Sequence, residues 1–122
     1  MRDDSHVQVL IVDDHPAFRA SARTLLELDG FDVIGEAADG ASALDLAREL
    51  EPEIVLLDVA LPDTTGFDVA EQLAGAHAKV ILTSSRAQND LGPRVRQCGA
   101  LGFVAKDELS GAAITELLEA AS

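Results

Sequence analysis

The sequence predicts an α/β fold in which helices cover both faces of a parallel β-sheet. Short apolar runs alternate with longer amphipathic stretches along the 122 residues, and five such strand–helix units are typical of this class. The runs VLIV, IVLL and VIL are apolar at every position, as expected of strands that are buried on both faces. The length is near the commonest domain size, so we predict one domain over residues 1–122.

Each element follows from a local pattern. The predicted strands are the apolar runs at residues 7–12, 31–37, 54–58, 80–83 and 102–106. The four longer predicted helices cover residues 16–28, 41–50, 66–76 and 108–121. The first of these helices has Pro16 in its first turn and Gly30 just past its end, the positions that these two residues prefer around a helix.

The region of the fourth helix departs from this pattern. Residues 85–99 contain the pair Gly92-Pro93. Proline breaks a helix interior, and the residue before a proline avoids helical angles. We therefore predict a loop from Ser84 to about Gly92 followed by a short helix over residues 93–98, and no regular helix of three turns beginning near Ala87.

Composition narrows the class of function. The formal charge of −13 argues against a nucleic-acid surface, which needs clustered Lys and Arg. A single cysteine, Cys98, allows no internal disulfide and favours a reducing compartment. The sequence shows neither a membrane span nor a signal peptide. We expect a cytoplasmic protein with no membrane partner.

Polar residues follow four of the five predicted strands at the point where each strand ends. They are Asp13 and Asp14 after the first strand, Asp58 at the third, Thr83 and Ser84 at the fourth, and Lys106 at the fifth. In an open parallel α/β sheet, ligands bind at the carboxyl ends of the strands. Each residue alone is more typical of a solvated turn, a helix cap or a surface cation. The prediction of a site depends on their meeting at one edge.

Three carboxylates at one sheet edge repel one another and cost free energy to desolvate. A hard divalent cation with oxygen ligands relieves both effects, and Mg²⁺ commonly binds one or two carboxylates together with phosphate and water. An ammonium group and a hydroxyl opposite the acids suit an incoming phosphoryl group. An aspartate beside the cation can act as the nucleophile. The pattern therefore indicates phosphoryl chemistry that depends on Mg²⁺.

The joint order of four motifs resembles the receiver domain of two-component response regulators over essentially the whole chain. The motifs are VDDHP at 12–16, DVALPDTTG at 58–66, TSS at 83–85 and GFVAK at 102–106. The VDDHP opening and the pair Lys106-Asp107 further resemble the NarL/LuxR-type subfamily. The resemblance implies a flavodoxin-like (CheY-like) doubly wound (βα)5 sandwich, with a parallel five-stranded sheet in the order 2-1-3-4-5.

The resemblance also implies a role for each matching residue. Asp58 is similar to the phosphoacceptor, Lys106 to the lysine that pairs with the phosphoryl group, and Thr83 to the hydroxyl that binds it. Thr83 and Phe103 correspond to the family's switch residues, in which the aromatic ring turns inward as the threonine moves. The Mg²⁺ ligands that the resemblance implies are Asp13, Asp14, Asp58 and the backbone carbonyl of Ala60.

The resemblance implies a signalling module rather than a turnover enzyme. The resemblance implies a sensor histidine kinase as phosphodonor, homodimerisation on activation, and control of transcription. Contact with DNA is expected only through a C-terminal helix-turn-helix domain, which this chain does not include. The sequence fits both a receiver excised from a longer regulator and a stand-alone receiver.

Three residues that lie close in sequence to the predicted site residues carry expectations of their own. Many receivers follow the lysine with proline, whereas Asp107 stands here, so we predict a trans Lys106–Asp107 peptide. His15 is expected to have a structural role near the first helix. Asp63 is expected to be ordinary loop surface.

Two other functions fit parts of the pattern. A phosphohydrolase that forms an aspartyl-phosphate commonly has a second acid two residues after the nucleophile, but Ala60 stands there. A degenerate receiver that acts through protein contacts without phosphorylation remains open, with the irregular fourth helix as its main support. A nucleotide-binding domain is disfavoured, because the sequence contains no glycine-rich phosphate loop.

Overall fold

The computed structural model describes residues 7–74, 78–85 and 92–121. Its strands are β1 (Gln8–Val12), β2 (Asp32–Ala37), β3 (Ile54–Asp58), β4 (Lys79–Ser84) and β5 (Gly102–Ala105). Its helices are α1 (Pro16–Leu28), α2 (Gly40–Leu50), α3 (Gly66–Leu73), α4 (Gly92–Gln97) and α5 (Gly111–Ala121). A short 3-10 turn, Lys106–Glu108, joins β5 to the segment before α5.

The five strands form one parallel sheet in the order β2-β1-β3-β4-β5, which confirms the predicted fold class and strand order. The central strand β3 is buried at all five positions. One core lies between the sheet and α2, α3 and α4, and it includes Leu57, Phe67 and Val95. The other lies on the face of α1 and α5 and includes Leu26 and Ile114.

Most element boundaries lie within one residue of the prediction, and the differences at α5, β5 and α3 have identifiable causes. Helix α5 begins at Gly111 rather than at residue 108, because Leu109 has extended angles after the 3-10 turn and the Ser110 side chain accepts a hydrogen bond from the Ala113 N–H. Lys106 belongs to that turn and not to β5. Helix α3 ends at Leu73 rather than at residue 76, since Ala74 leaves helical angles.

The prediction of a short fourth helix is confirmed. Helix α4 covers Gly92–Gln97, one residue earlier than predicted at each end. Its Cys98 neighbour is buried and donates its thiol to the Val95 carbonyl, as expected of a small apolar residue at a helix end. Ser84, predicted to begin the loop, is the last residue of β4. Residues 86–91, which hold most of the predicted loop and the start of the excluded helix near Ala87, lie outside the described residues.

Two further expectations concern the peptide after Lys106 and the membrane. No cis peptide bond occurs in the described part of the chain, so the Lys106–Asp107 bond is trans as predicted. Among the helices described here, none has both the length and the apolar character needed to cross a bilayer.

Candidate functional site

Parallel pairing brings the ends of three strands to the same height. Val12 of β1 lies opposite Leu57 of β3, so the residues that follow them, Asp13 and Asp58, are neighbours. Asp58 in turn lies opposite Thr83 of β4. Since successive positions in register stay adjacent across a parallel sheet, the predicted site residues meet at one edge. The predicted clustering is therefore confirmed for these three side chains.

Lys106 connects the two buried acids. Its Nζ lies 2.7 Å from Asp13 Oδ2 and 3.4 Å from Asp58 Oδ2. Asp13 is fully buried and Asp58 is 4% exposed, so the ammonium group faces two carboxylates that are both withdrawn from water. The Lys106 Nζ also lies 4.7 Å from the centre of the Phe18 ring. One cation thus stabilises two anions, and a net negative charge remains among the three groups.

The pKa of Asp58 reflects this imbalance. Burial raises the pKa of the Asp58 carboxyl above its usual value, and the charge of Asp13 raises it further. The Lys106 ammonium and the Ala60 N–H, which lies 3.3 Å from Asp58 Oδ1, lower it but do not cancel the rise. A carboxylate held with this excess of negative charge attracts a further cation.

The pKa of Lys106 is also raised. Burial by itself lowers the pKa of the ammonium group, but the short contact with Asp13 and the charges of Asp58 and Asp13 together outweigh burial. The lysine therefore stays positively charged at the bottom of an acidic site. It is suited to pair with an anionic group that enters beside Asp58.

Asp14 and His15 form the exposed side of the acid cluster. The His15 Nδ1 lies 2.9 Å from Asp13 Oδ1 and 3.1 Å from Asp14 Oδ1, and the His15 backbone N–H donates to Asp13 Oδ1 at 2.8 Å. His15 is also the N-cap residue of α1, although its side chain does not cap the helix. These contacts support the structural role predicted for His15.

The donor set fits a hard divalent cation. Ligand atoms of Asp13, Asp14, His15 and Asp58 all lie within 4.8 Å of one another. Asp13 Oδ2 is buried and lies 2.7 Å from the Lys106 Nζ. Carboxylate oxygens in this arrangement are the ligands that Mg²⁺ prefers.

The acids open into a shallow hollow with a volume of about 260 Å³. The residues that line it are Asp14, His15, Asp58, Ala60, Leu61, Pro62, Ser84, Ser85 and Lys106. The loop that follows Asp58 forms one wall of the hollow, and this wall includes Ala60. A group of phosphoryl size can reach the Asp58 carboxylate from this side.

Both predicted switch residues are buried. Thr83 is 1% exposed, and its Oγ1 has no hydrogen-bond partner within the part of the chain that the structure describes. A buried hydroxyl without a partner is costly, so an acceptor that arrives beside it gains a hydrogen bond. Phe103, which pairs with Leu82 in the β4–β5 register, is 8% exposed and packs in the core on the α4 side.

Asp63 lies on the exposed surface of the loop, as expected, but its carboxylate has specific partners that the prediction of ordinary surface did not include. Asp63 Oδ1 accepts the Gly40 N–H at 2.8 Å, and Oδ2 accepts the Ala41 N–H at 3.1 Å. The carboxylate therefore binds the first turn of α2, whose unpaired N–H groups and dipole favour an anion. Sequence reasoning missed this contact because its two partners are more than twenty residues away.

Arg19 is a second residue that the sequence did not identify. Its Nη1 donates to the Asp13 backbone carbonyl at 2.6 Å, and its Nε donates to Glu36 Oε1 at 3.1 Å. Arg23 binds the other oxygen of Glu36 at 2.8 Å. The turn that carries the first acids is therefore held by α1 and β2. The spacing of Arg19 and Arg23 on one helix face is the only local signal of this arrangement.

Comparison with known proteins identifies the family. The model of the response regulator receiver domain matches residues 9–119. The nitrate/nitrite response regulator protein NarP of Escherichia coli is 43% identical over 111 residues, which cover 88% of this chain and 51% of NarP. The response regulator GacA of Pseudomonas viridiflava is 35% identical over 117 residues, which cover 93% of this chain and 53% of GacA.

Solved structures agree with these relatives. A two-component response regulator of the LuxR family from Aurantimonas sp. SI85-9A1 superimposes with a TM-score of 0.82 and 32% identity, over 95% of this chain and 84% of that one. The chain spans about half the length of the curated relatives it matches. The resemblance stated from the motifs is confirmed: the chain belongs to the response regulator receiver-domain family, among relatives of the NarL/LuxR type.

Proposed function

We propose that this chain is a phosphoacceptor switch in which Asp58 receives a phosphoryl group from a sensor histidine kinase. The family as a whole is a signalling receiver of response regulators rather than a classical enzyme. The observation that carries the proposal is the position of Asp58. Its carboxylate is nearly buried, carries a raised pKa, contacts Lys106, and still borders the open hollow.

Receiver domains generally bind Mg²⁺ at their acidic pocket, and the acid cluster fits that ion. Asp13, Asp14, Asp58 and the backbone carbonyl of Ala60 would hold it. When bound, Mg²⁺ offsets the charge of the carboxylates and of the phosphoryl oxygens. The excess negative charge around Asp58 and the position of Ala60 on the wall of the hollow support this ligand set.

In the transfer, an Asp58 carboxylate oxygen attacks the phosphorus, the new O–P bond forms, and the P–N bond to the donor histidine breaks. The nitrogen leaves with its electron pair, and Asp58 becomes an acyl phosphate. Lys106 pairs with a phosphoryl oxygen, and the Thr83 hydroxyl donates to another. The unpartnered Thr83 Oγ1 and its register beside Asp58 support this role.

The response follows from the movement of Thr83 toward the phosphoryl group. We propose that Phe103, which already packs in the core, then repacks and that the surface formed by α4, β5 and α5 changes, which shifts an equilibrium between two states. In the whole regulator this change would favour a homodimer and control transcription, since the relatives NarP and GacA are named as response regulators.

The proposal is tested by intact mass after incubation with acetyl phosphate and Mg²⁺. We expect the gain of one phosphoryl group, no gain for Asp58→Ala, and a much slower gain when Mg²⁺ is chelated. Lys106→Ala changes the charge of the site but keeps Asp58. This variant should gain the phosphoryl group more slowly, and the group should still be found on Asp58. Absence of any modification in the wild-type chain would contradict the proposal and favour a receiver that acts by contacts alone.

A phosphohydrolase remains the weaker explanation. Such an enzyme needs an acid beside the nucleophile to protonate its leaving group. Ala60 supplies none, and the nearby carboxylate of Asp63 is occupied by the N–H groups of Gly40 and Ala41.

A further inference from the structure

The loop between β3 and α3 forms one wall of the hollow and is closed by its own hydrogen bonds. The Gly66 N–H donates to the Val59 carbonyl at 2.7 Å, and the Leu61 N–H donates to the Thr64 carbonyl at 3.2 Å. Ala60 and Thr65 also form an antiparallel bridge. These bonds fix the shape of the loop, but they do not fix where its tip stands relative to the rest of the molecule.

Asp63 supplies that missing connection. It follows directly after Ala60, Leu61 and Pro62, which line the hollow. Its two oxygens bind the N–H groups of Gly40 and Ala41 at the start of α2. Asp63 is thus the side chain that connects the tip of the loop to the neighbouring helix by hydrogen bonds.

The start of α2 packs closely against the loop at this contact. Gly40 is buried, and a Cβ atom built on it would overlap the Thr64 methyl group and lie 3.2 Å from Val69 Cγ2. The backbone of α2 therefore approaches the loop as closely as glycine permits. The two hydrogen bonds hold the loop against α2, and the close packing of Gly40 sets the distance between them.

We propose that Asp63 is a positioning residue that fixes the Ala60 carbonyl beside Asp58 by holding the loop against α2. The proposal rests on the proposed function, because Ala60 matters only where a cation binds at Asp58. Asp63 itself contacts neither the hollow nor the acids. Its effect passes through the two residues between it and Ala60, Leu61 and Pro62, and Pro62 has a restricted backbone.

Asp39 provides a matched control. It is the N-cap of the same helix and accepts the Ser42 N–H at 2.8 Å, but no described bond connects it to the loop. Asp39→Ala removes a carboxylate from the same helix end and leaves the loop contact intact. Asp63→Ala removes the loop contact, and Asp63→Asn retains one carbonyl oxygen as acceptor.

The first measurement needs no metal. Amide hydrogen exchange, followed by NMR on the metal-free protein, should show faster exchange of the Leu61 and Gly66 N–H groups in Asp63→Ala. In Asp39→Ala the change should be confined to α2, at Ser42. Loop exchange that is unchanged in Asp63→Ala, or equally raised in Asp39→Ala, overturns the proposal.

The second measurement is the affinity for Mg²⁺ by isothermal titration calorimetry. We expect the Kd to rise roughly tenfold in Asp63→Ala, the lower end of the cost of changing a residue outside the ligand shell. Asp63→Asn should recover part of the affinity, and Asp39→Ala should stay within about twofold of wild type on the same scale. Equal losses in the Asp63→Ala and Asp39→Ala proteins would assign the effect to α2 stability and contradict positioning.

The two proposals fail in different ways. If the wild-type chain binds no Mg²⁺ and gains no phosphoryl group, the proposed function is wrong, while the exchange data on the metal-free protein still decide whether Asp63 holds the loop. If wild type binds Mg²⁺ and Asp63→Ala binds it equally well, only the positioning role is wrong.

Discussion

Gly66 packs directly against the backbone that carries Asp58. A Cβ atom at this position would overlap the Asp58 carbonyl oxygen and lie 2.9 Å from the Val59 Cα. Because these neighbours are backbone atoms, no side chain can rotate away to make room. The glycine is required by close approach, and its place just after the loop fixes how α3 leaves the site.

Gly66→Ala is therefore expected to destabilise the fold by about 1–3 kcal/mol, the usual cost of overpacking a filled site. Urea unfolding followed by far-UV circular dichroism measures the loss. Gly35→Ala is the matched control, since its Cβ would meet only the methyl ends of Leu50 and Leu10. That variant should lose less, and equal losses in the two variants would contradict the explanation from backbone overlap.

At the scale of elements, α2 is distinctive because two carboxylates satisfy its first N–H groups. Asp39 accepts the Ser42 N–H from the N-cap position, while Asp63 accepts those of Gly40 and Ala41 from another loop. The first helical turn has no partners of its own for these groups. Both side chains therefore complete the helix end, and Asp63 also connects it to the loop beside the site.

The Asp39 cap predicts how the stability of the fold depends on pH. Hydrogen bonds from the Ser42 hydroxyl and backbone lower the pKa of Asp39 below its ordinary value of 3.8. A carboxyl whose pKa is lowered on folding stabilises the fold above its unfolded pKa, and this contribution disappears as the pH falls through the folded pKa. Wild type should therefore have a higher Tm than Asp39→Asn at neutral pH, and the difference should shrink in the acid range.

Thermal unfolding of both proteins between about pH 3 and pH 7 tests this dependence. Asp39→Asn is the suitable comparison, because asparagine is also a good N-cap and removes only the titration. A difference in Tm that stays constant down to the lowest pH would show that the Asp39 charge does not contribute.

The whole molecule carries a formal charge of −13, and the acid cluster at the sheet edge adds local repulsion to this general excess. A net charge far from zero keeps a protein soluble but destabilises its compact state through self-repulsion. The acids of the site belong to this balance, since Lys106 offsets only part of the charge of Asp13 and Asp58.

Salt should therefore stabilise this protein. We expect the Tm to rise as NaCl increases from about 0.01 M to 1 M, as the Debye length falls from about 30 Å to 3 Å. Mg²⁺ should add a further rise that depends on its concentration relative to the Kd. Asp58→Ala should keep the response to NaCl and lose most of the additional response to Mg²⁺. A Tm that falls on adding NaCl would contradict the role of self-repulsion.

The sequence by itself determined the order of the elements, the parallel sheet and the residues at the strand ends. Apolar runs, amphipathic periods and the Gly92-Pro93 pair are local signals, and they express preferences that act within a few residues. The same signals placed Asp13, Asp58 and Thr83 at one edge. Their roles in phosphoryl transfer remain predictions.

Only the tertiary structure decided which groups these side chains meet. Lys106 lies closer to Asp13 than to Asp58, Arg19 holds the Asp13 carbonyl, and Asp63 binds the start of α2. Each of these contacts joins residues that are separated along the chain, and in one of them Asp13 and Asp58 share the single charge of Lys106. Such contacts depend on how the helices pack on the sheet, and no local pattern specifies those distances.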